Sequence, residues 1–242
     1  METNKSYHTS ILLHESVDLL ITNKSGIYID ATFGGGGHSK AILNKLNNDA
    51  TLIAFDQDID AQINILNDPR FKLIPENFKY MAAFLKHYEI DQIDGIIADL
   101  GVSSFHFDTA KRGFSYRMNG PLDMRMDQRT NKTAASILAQ YSANQLQQIF
   151  QNFGEVSNAK TLGKYLVEYR LQHKLETIFD LKQALQTMIK GDPNKYFAKV
   201  FQSLRIEVNE ELESLKMLLN QLAGLLKIGG RAVFISFHSL ED

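Results

Sequence analysis

The sequence predicts a doubly wound, parallel α/β sheet with a helical subdomain inserted after the fourth strand. Three observations carry this expectation. Short apolar runs alternate with helical segments through the first part of the chain. Four consecutive glycines, Gly34–Gly37, separate the first strand from the first helix. A long helical block then precedes one more apolar run near the end. Strand–helix alternation builds parallel sheets, because a parallel neighbour is reached only through a crossover.

The predicted strands are Gly26–Asp30, Thr51–Asp56, Phe71–Pro75 and Ile93–Asp99, three of which end on an acid. Helices are expected over Ser39–Leu46, Ile59–Leu66 and Tyr80–His87. Residues 101 to 132 read as loop, with Gly101, Gly113, Gly120 and Pro121 as turn formers. Ser142-Ala143-Asn144-Gln145 has the pattern of a capping box, and Leu146, Ile149, Phe150 and Phe153 follow at helical spacing up to Gly154. Amphipathic runs cover Ala159–Gln172 and Leu181–Lys190, and Pro193 marks a break. A helical tract from Tyr196 to Lys227 reads as one helix or as two meeting near Arg205–Glu207. Gly229-Gly230 stops it, and Arg231–Phe237 is the fifth strand.

At 242 residues the chain suits one large domain, or one domain carrying a smaller one; 44% hydrophobic and 22% charged residues fit a soluble globular protein. It has no cysteine, which excludes disulfides and thiolate metal sites, and the seven histidines show no metal-ligand spacing. No apolar run reaches membrane-span length, and Met1-Glu2-Thr3-Asn4-Lys5 is not followed by the apolar stretch of a secretory signal, so a cytoplasmic protein is expected. The net charge of −2 hides an asymmetry. Residues 105–205 hold 15 Lys and Arg against 8 Asp and Glu, a balance of +7, and the remainder a balance of −9. The basic middle suits either a polyanionic partner or a solvated helical surface.

Glycines directly after a first strand strip the backbone of side chains so that a ligand can approach it. A phosphate-binding P-loop needs Lys and then Ser/Thr after the last glycine; here Gly37 is followed by His38-Ser39-Lys40. The dinucleotide fingerprint needs a third glycine where this chain has Ser39 or Lys40. The arrangement of S-adenosylmethionine enzymes remains: an acid ending the first strand, Asp30, and a looser glycine run. Asp56, 19 residues after Gly37, is placed to accept hydrogen bonds from both ribose hydroxyls, and Phe78 to lie against an adenine ring. His38 either contacts the cofactor or occupies the first turn of a helix.

Asp99 falls at the carboxyl edge of the fourth strand, where it orients a donor or hydrogen-bonds an acceptor amine; Ser103 and Ser104 do either or make a turn. Behind them Phe105, His106, Phe107, Lys111, Arg112, Phe114, Tyr116 and Arg117 interleave aromatic rings with cations. That mixture suits stacking on bases and holding phosphates, or else a surface loop tied by salt bridges.

The motifs together resemble a known family. They are Asp30-Ala31-Thr32-Phe33-Gly34-Gly35-Gly36-Gly37-His38-Ser39, Asp99-Leu100-Gly101-Val102-Ser103-Ser104, Arg112-Gly113-Phe114-Ser115, Gly120-Pro121-Leu122-Asp123-Met124-Arg125-Met126-Asp127, Phe201-Gln202-Ser203-Leu204-Arg205-Ile206 with Val208-Asn209, and Ser236-Phe237-His238-Ser239-Leu240-Glu241-Asp242. In this order they resemble the bacterial small-subunit ribosomal RNA cytosine-N4 methyltransferases, the RsmH (MraW) family, from Tyr7-His8-Thr9 to the last residue.

The resemblance implies a class I S-adenosylmethionine-dependent methyltransferase fold, Rossmann-like, with an inserted all-helical subdomain. On that division residues 1–104 and 206–242 form the donor-binding domain, and 105–205 the inserted, basic, substrate-recognition domain. It also implies donor contacts from Gly36, Gly37, His38, Asp56, Phe78, Asp99 and His106, the last where the family more usually carries Gln. The implied reaction methylates the N4 amine of a decoding-centre (P-site) cytidine of 16S rRNA in the small ribosomal subunit. Family members run several dozen residues past the His-Ser-Leu-Glu-Asp block, so either a truncated form or a sheet edge finished some other way is expected.

For that reaction Asp99, with nearby backbone carbonyls, is the expected acceptor of the amine hydrogens. Phe105, Phe107, Phe114 and Tyr116 are candidate stacking surfaces for a base taken out of its stack, and Lys111, Arg112 and Arg117 candidate phosphate contacts. Two rival expectations are a nicotinamide-dependent oxidoreductase, which the missing third glycine disfavours, and a non-catalytic RNA-binding protein of similar shape.

Overall fold

The computed structural model describes residues 10–241. Met1–Lys5, Tyr7-His8-Thr9, Asp242 and the Ser104 side chain, all named above, lie outside the described residues. In chain order the elements begin with α1 (Leu13–Leu20), β1 (Ile27–Asp30), α2 (Gly37–Leu43), β2 (Thr51–Phe55), β3 (Phe71–Ile74), α3 (Met81–His87) and β4 (Ile93–Asp99). Then follow α4 (Ser104–Asp108), α5 (Ala134–Gln140), α6 (Ala143–Gly154), α7 (Ala159–Tyr169), α8 (Ile178–Leu185), α9 (Pro193–Asn209), α10 (Glu211–Leu225) and β5 (Leu226–Ile235). The chain divides into two compact units, one of Met1–Gly101 with Leu212–Asp242 and one of Val102–Glu211.

The first unit is a five-stranded parallel sheet in the order β3-β2-β1-β4-β5. Alternate residues of each strand face opposite sides. Ile29, Ile53, Phe55 and Ile96 pack with Met81 and Leu85 of α3 and Leu215, Leu218 and Leu222 of α10. Tyr28, Leu52 and Ile97 pack with Val17 and Leu20 of α1 and Ile42 and Leu43 of α2. Both faces are covered, which is why the central strands read as unbroken apolar runs rather than alternating ones. From β1 the chain winds outward through β2 and β3, then returns to place β4 on the other side of β1. The carboxyl ends of β1 and β4 therefore flank the point where the winding reverses, the usual ligand crevice of open α/β sheets.

The second unit is helical. Leu146, Ile149 and Phe150 of α6, Leu162 and Leu166 of α7, and Val200, Phe201 and Leu204 of α9 form its core with Ile178, Leu181 and Leu185 of α8. Capping boxes at Thr133/Ser136, Ser142/Gln145 and Thr177/Asp180 fix the starts of α5, α6 and α8.

Some elements differ from expectation for identifiable reasons. Residues 59–66 do not form an α-helix: Ile59–Asn64 is a 3₁₀ turn capped by Asp58, and the Asn64 amide donates to the Gly34 carbonyl instead. Thr177 starts α8 earlier than expected, and α8 ends at Leu185 rather than Lys190. Pro193 is the first residue of α9 rather than a gap between helices, since its missing N–H costs nothing there. The long tract splits after Asn209, not near Arg205–Glu207, because Glu210 adopts a left-handed φ of 51°. Gly229-Gly230 lies inside β5 and does not precede it. Leu226 already pairs with Ile93, and the register slips between Ile93 and Gly95 where Gly229 has φ of 80°.

Candidate functional site

The site grows from the turn after β1. Ala31 N–H donates to the Ile97 carbonyl and Phe33 N–H to the Phe55 carbonyl, so the turn is stitched to both neighbouring strands. Gly34 and Gly36 take positive φ, 49° and 76°, which L side chains resist. A Cβ placed on Gly35 would meet nothing within 4 Å, so the backbone is bare there. Gly37, the first residue of α2, has no such room, because a Cβ would collide with Ser10 Oγ.

Asp56, just past β2, accepts Gly34 N–H on Oδ2 (2.7 Å) and Asp58 N–H on Oδ1 (2.8 Å). Phe78, half-buried in a short 3₁₀ turn after β3, rests on the core on the α3 side of the sheet, and Asn77 caps the turn through Lys79 N–H.

Asp30 is buried and accepts from Ser39 Oγ (2.7 Å) and Thr32 N–H (3.1 Å). Burial pushes its carboxyl up, with those hydrogen bonds and His38 opposing. His38 is 5% exposed. Its Nε2 lies 3.3 Å from the Ile11 carbonyl, which only accepts, so Nε2 carries a proton; Nδ1 faces Asp99 Oδ2 at 3.9 Å.

Asp99 ends β4 beside this group, its N–H donating to Thr32 Oγ1 at 2.7 Å. Its Oδ1 is buried and makes no hydrogen bond. Burial pushes its carboxyl up; His38 opposes, while Asp30 and Glu241 push the same way. A carboxylate so placed is a hydrogen-bond acceptor without a donor, next to a bare stretch of backbone.

Gly36, Gly37, His38, Asp56, Phe78 and Asp99 thus all lie at the carboxyl edge of the sheet. His106, Lys111, Arg112, Phe114 and Arg117 belong to the helical unit. His106 is 7% exposed, stacks on Phe114 with ring centroids 4.6 Å apart, and accepts Ser103 N–H on Nδ1 at 3.3 Å. Lys111 and Arg117 are exposed. Arg112 does not fit the expected phosphate contact: it is 4% exposed and its guanidinium donates to the carbonyls of Arg125 and Met126. Phe114, 5% exposed, is part of the helical core rather than an open stacking surface, and Tyr116 packs on Phe197 and Phe201. Phe105 and Phe107 remain exposed rings. Sequence reasoning missed Thr32 and Asn64, which fix the turn through single hydrogen bonds and leave no periodic signal. It also gave no role to His238 and Glu241, whose i,i+3 spacing was visible.

This architecture, with an acid-terminated first strand, a glycine turn and a second acid gripping that turn, defines a Rossmann-like class I methyltransferase. The family model described as the MraW methylase family matches residues 5–242, and the chain belongs to that family. It is 48% identical over 242 residues to "Ribosomal RNA small subunit methyltransferase H" of Azobacteroides pseudotrichonymphae, covering 100% of this chain and 80% of that protein. It is 51% identical over 239 residues to the protein of the same name from Cytophaga hutchinsonii, covering 98% and 80%. The Bacteroides fragilis protein of that name is 46% identical over 242 residues, covering 100% and 80%. Membership of a methyltransferase family implies use of S-adenosylmethionine. Among the described residues no helix is long and apolar enough to cross a membrane.

Proposed function

We propose that this chain methylates the N4 amine of a decoding-centre cytidine of 16S rRNA, acting on the small ribosomal subunit in the cytoplasm. Its relatives' names support the ribosomal substrate. The observation that carries the chemistry is the unpartnered, buried Asp99 Oδ1 beside the glycine turn.

The residues present fit the donor. Gly35 offers bare backbone, Asp56 places a carboxylate, the acceptor that ribose hydroxyls need, just past β2, and Phe78 offers an apolar ring at the same sheet edge. Bound there, S-adenosylmethionine supplies an electrophilic methyl group. The cytosine amine is a weak nucleophile, since its lone pair is delocalised into the ring. Asp99 accepts an N–H of that amine, orients the lone pair and stabilises the positive charge that develops on nitrogen. In the helical unit, the excess of cations, with Lys111 and Arg117 exposed, suits phosphate contacts, and Phe105 and Phe107 suit base stacking.

The test is transfer of labelled methyl from the donor to small subunits lacking the modification, followed by mapping of the modified base. Asp99→Asn should lower kcat by about 10²–10⁴-fold. Wild-type turnover in that variant, or label on another base, overturns the reading.

A further inference from the structure

The block Ser236–Glu241 follows β5 and has no part in the chemistry above. Its position is set by the sheet. Asp99 pairs in register with Ile235, and Leu100 N–H donates to the Ile235 carbonyl at 2.9 Å. The residues after Ile235 therefore begin beside the end of β4. A Cβ on Gly101 would lie 3.5 Å from the Phe237 ring, which places the two segments side by side.

The block then folds back on itself. Glu241 N–H donates to the His238 carbonyl at 3.1 Å, closing a turn. Glu241 Oε2 accepts Phe237 N–H at 2.9 Å. His238 Nε2 lies 3.2 Å from Glu241 Oε1, near enough for an ion pair although not aligned for a hydrogen bond. The Glu241 side chain is only 4% exposed. A carboxylate is rarely buried this far without a purpose in binding, packing or catalysis. Phe237, whose N–H it holds, packs beside Gly101, two residues after Asp99 with its unpartnered oxygen, and the Glu241 charge pushes the Asp99 carboxyl up.

We propose that Glu241 is a positioning residue for proton removal: fixed beside Asp99 by the turn after β5, its negative charge makes Asp99 the stronger proton acceptor. The inference rests on the methyl-transfer reading. As the new N–C bond forms and the C–S pair leaves with sulfur, the amine nitrogen becomes cationic and must lose a proton. That proton passes to Asp99, which becomes a neutral carboxylic acid and later returns it to solvent. A second carboxylate nearby favours this protonated form, because two adjacent negative charges repel. Two other groups face Asp99: His38 from α2, whose charge works against protonation, and Asp30 from β1, whose charge works with Glu241. His238 lies 3.2 Å from Glu241, so a positive charge on it would offset the Glu241 charge.

The experiment reads the Asp99 carboxyl directly, by ¹³C NMR titration of the full chain labelled at aspartate, with the signal assigned by Asp99→Asn. Glu241→Gln keeps an oxygen for Phe237 N–H and removes the charge. Its Asp99 midpoint should fall below that of wild type. His238→Gln removes only the offsetting cation, so the midpoint should stay or rise. Should Glu241→Gln fail to fold, Glu241→Asp, which withdraws the charge by one methylene, should give a smaller fall. The acidic limb of the kcat/KM profile should move with the midpoint, while KM for the donor stays constant. An unmoved midpoint in both Glu241 variants that fold overturns the inference, as does an equal fall in His238→Gln, which would signal displacement of the segment. The titration needs neither donor nor RNA. A wild-type chain without methyl transfer would therefore sink the proposed reaction and be recognised separately from an unmoved midpoint.

Discussion

Gly34 N–H donates to Asp56 Oδ2 at 2.7 Å, so the acid proposed to grip the ribose also holds the glycine turn proposed to receive the rest of the donor. Asp58 N–H takes the other oxygen at 2.8 Å. One side chain thus couples the shape of the turn to the end of β2. Asp56→Ala should orphan both N–H groups and cost about 1–3 kcal/mol, because Asp56 is half-exposed and water recovers part of the loss. Asp56→Asn, with one carbonyl oxygen, should fall between the alanine variant and wild type. Urea unfolding gives the stability order, and calorimetry with S-adenosylmethionine should rank affinity the same way. Wild-type stability in Asp56→Ala would separate the turn from the acid and defeat the coupling.

Asp94 makes a testable acid limb. It accepts from Lys227 Nζ (2.7 Å), Ile27 N–H (2.9 Å) and Asn23 Nδ2 (3.1 Å), joining β4 to the start of β1 and to β5. Burial pushes its carboxyl up, but those three donors and the Lys227 charge outweigh it and hold it below the ordinary carboxylate value. A depressed folded value means stability that is present above about pH 4, the unfolded value, and is lost as pH falls through the folded one. Thermal melts from neutral pH down to about pH 3 should show wild type losing stability faster than Asp94→Asn. Parallel curves for the two would remove Asp94 from the acid response.

The strands were legible because each is a buried β-rich run closed by an acid or a turn former, and burial on both faces leaves no other reading for Ile27–Asp30 or Ile93–Asp99. The glycine turn was legible because consecutive glycines have few other uses. Arg112 and Phe114 were misread for a reason that no local pattern reveals. Met124 N–H returns to the Arg112 carbonyl at 3.0 Å, folding the following loop over both side chains. A cation beside aromatics looks like a surface until that long-range closure is known. Likewise, nothing in the His238–Glu241 spacing says that β5 delivers it next to Asp99.

Two helical glycines should answer alanine with opposite signs. A Cβ on Gly163 of α7 would lie 2.6 Å from the Ala143 carbonyl oxygen and 3.0 Å from Gln147 N, backbone atoms of α6 that cannot swing aside. Gly163→Ala should therefore destabilise by about 1–3 kcal/mol. A Cβ on Gly224 of α10 would meet nothing within 4 Å, so Gly224→Ala should add about 0.5–1 kcal/mol through helix propensity. Chemical denaturation of both variants decides it, and a stabilising Gly163→Ala would show that α6 and α7 pack less closely than described.

Asn209 is the clasp of the loop that buries Arg112. Its Oδ1 accepts Met126 N–H at 2.7 Å, and its Nδ2 donates to the carbonyls of Met124 and Arg205, each at 2.8 Å. Met124 sits at φ of 62°, a conformation that costs energy in a non-glycine residue and persists only when its surroundings hold it. Asn209→Ala should cost about 1–3 kcal/mol, since Met126 N–H and the Met124 carbonyl lose the Asn209 amide, and the bond from Met124 N–H to the Arg112 carbonyl is left to hold the strained residue. Asn209→Asp is the sharper test. It preserves the bond from Met126 but turns an oxygen toward two carbonyl oxygens, so it should be no more stable than the alanine variant despite its closer shape. The loop carries Arg125, whose guanidinium is held by both Asp123 oxygens at 2.7 Å, and Arg129, so its release is measurable by trypsin under native conditions. Cleavage after these arginines should accelerate in both variants, and an Asn209→Asp protein as stable and as resistant as wild type would show that the two donated bonds carry no weight in holding the loop.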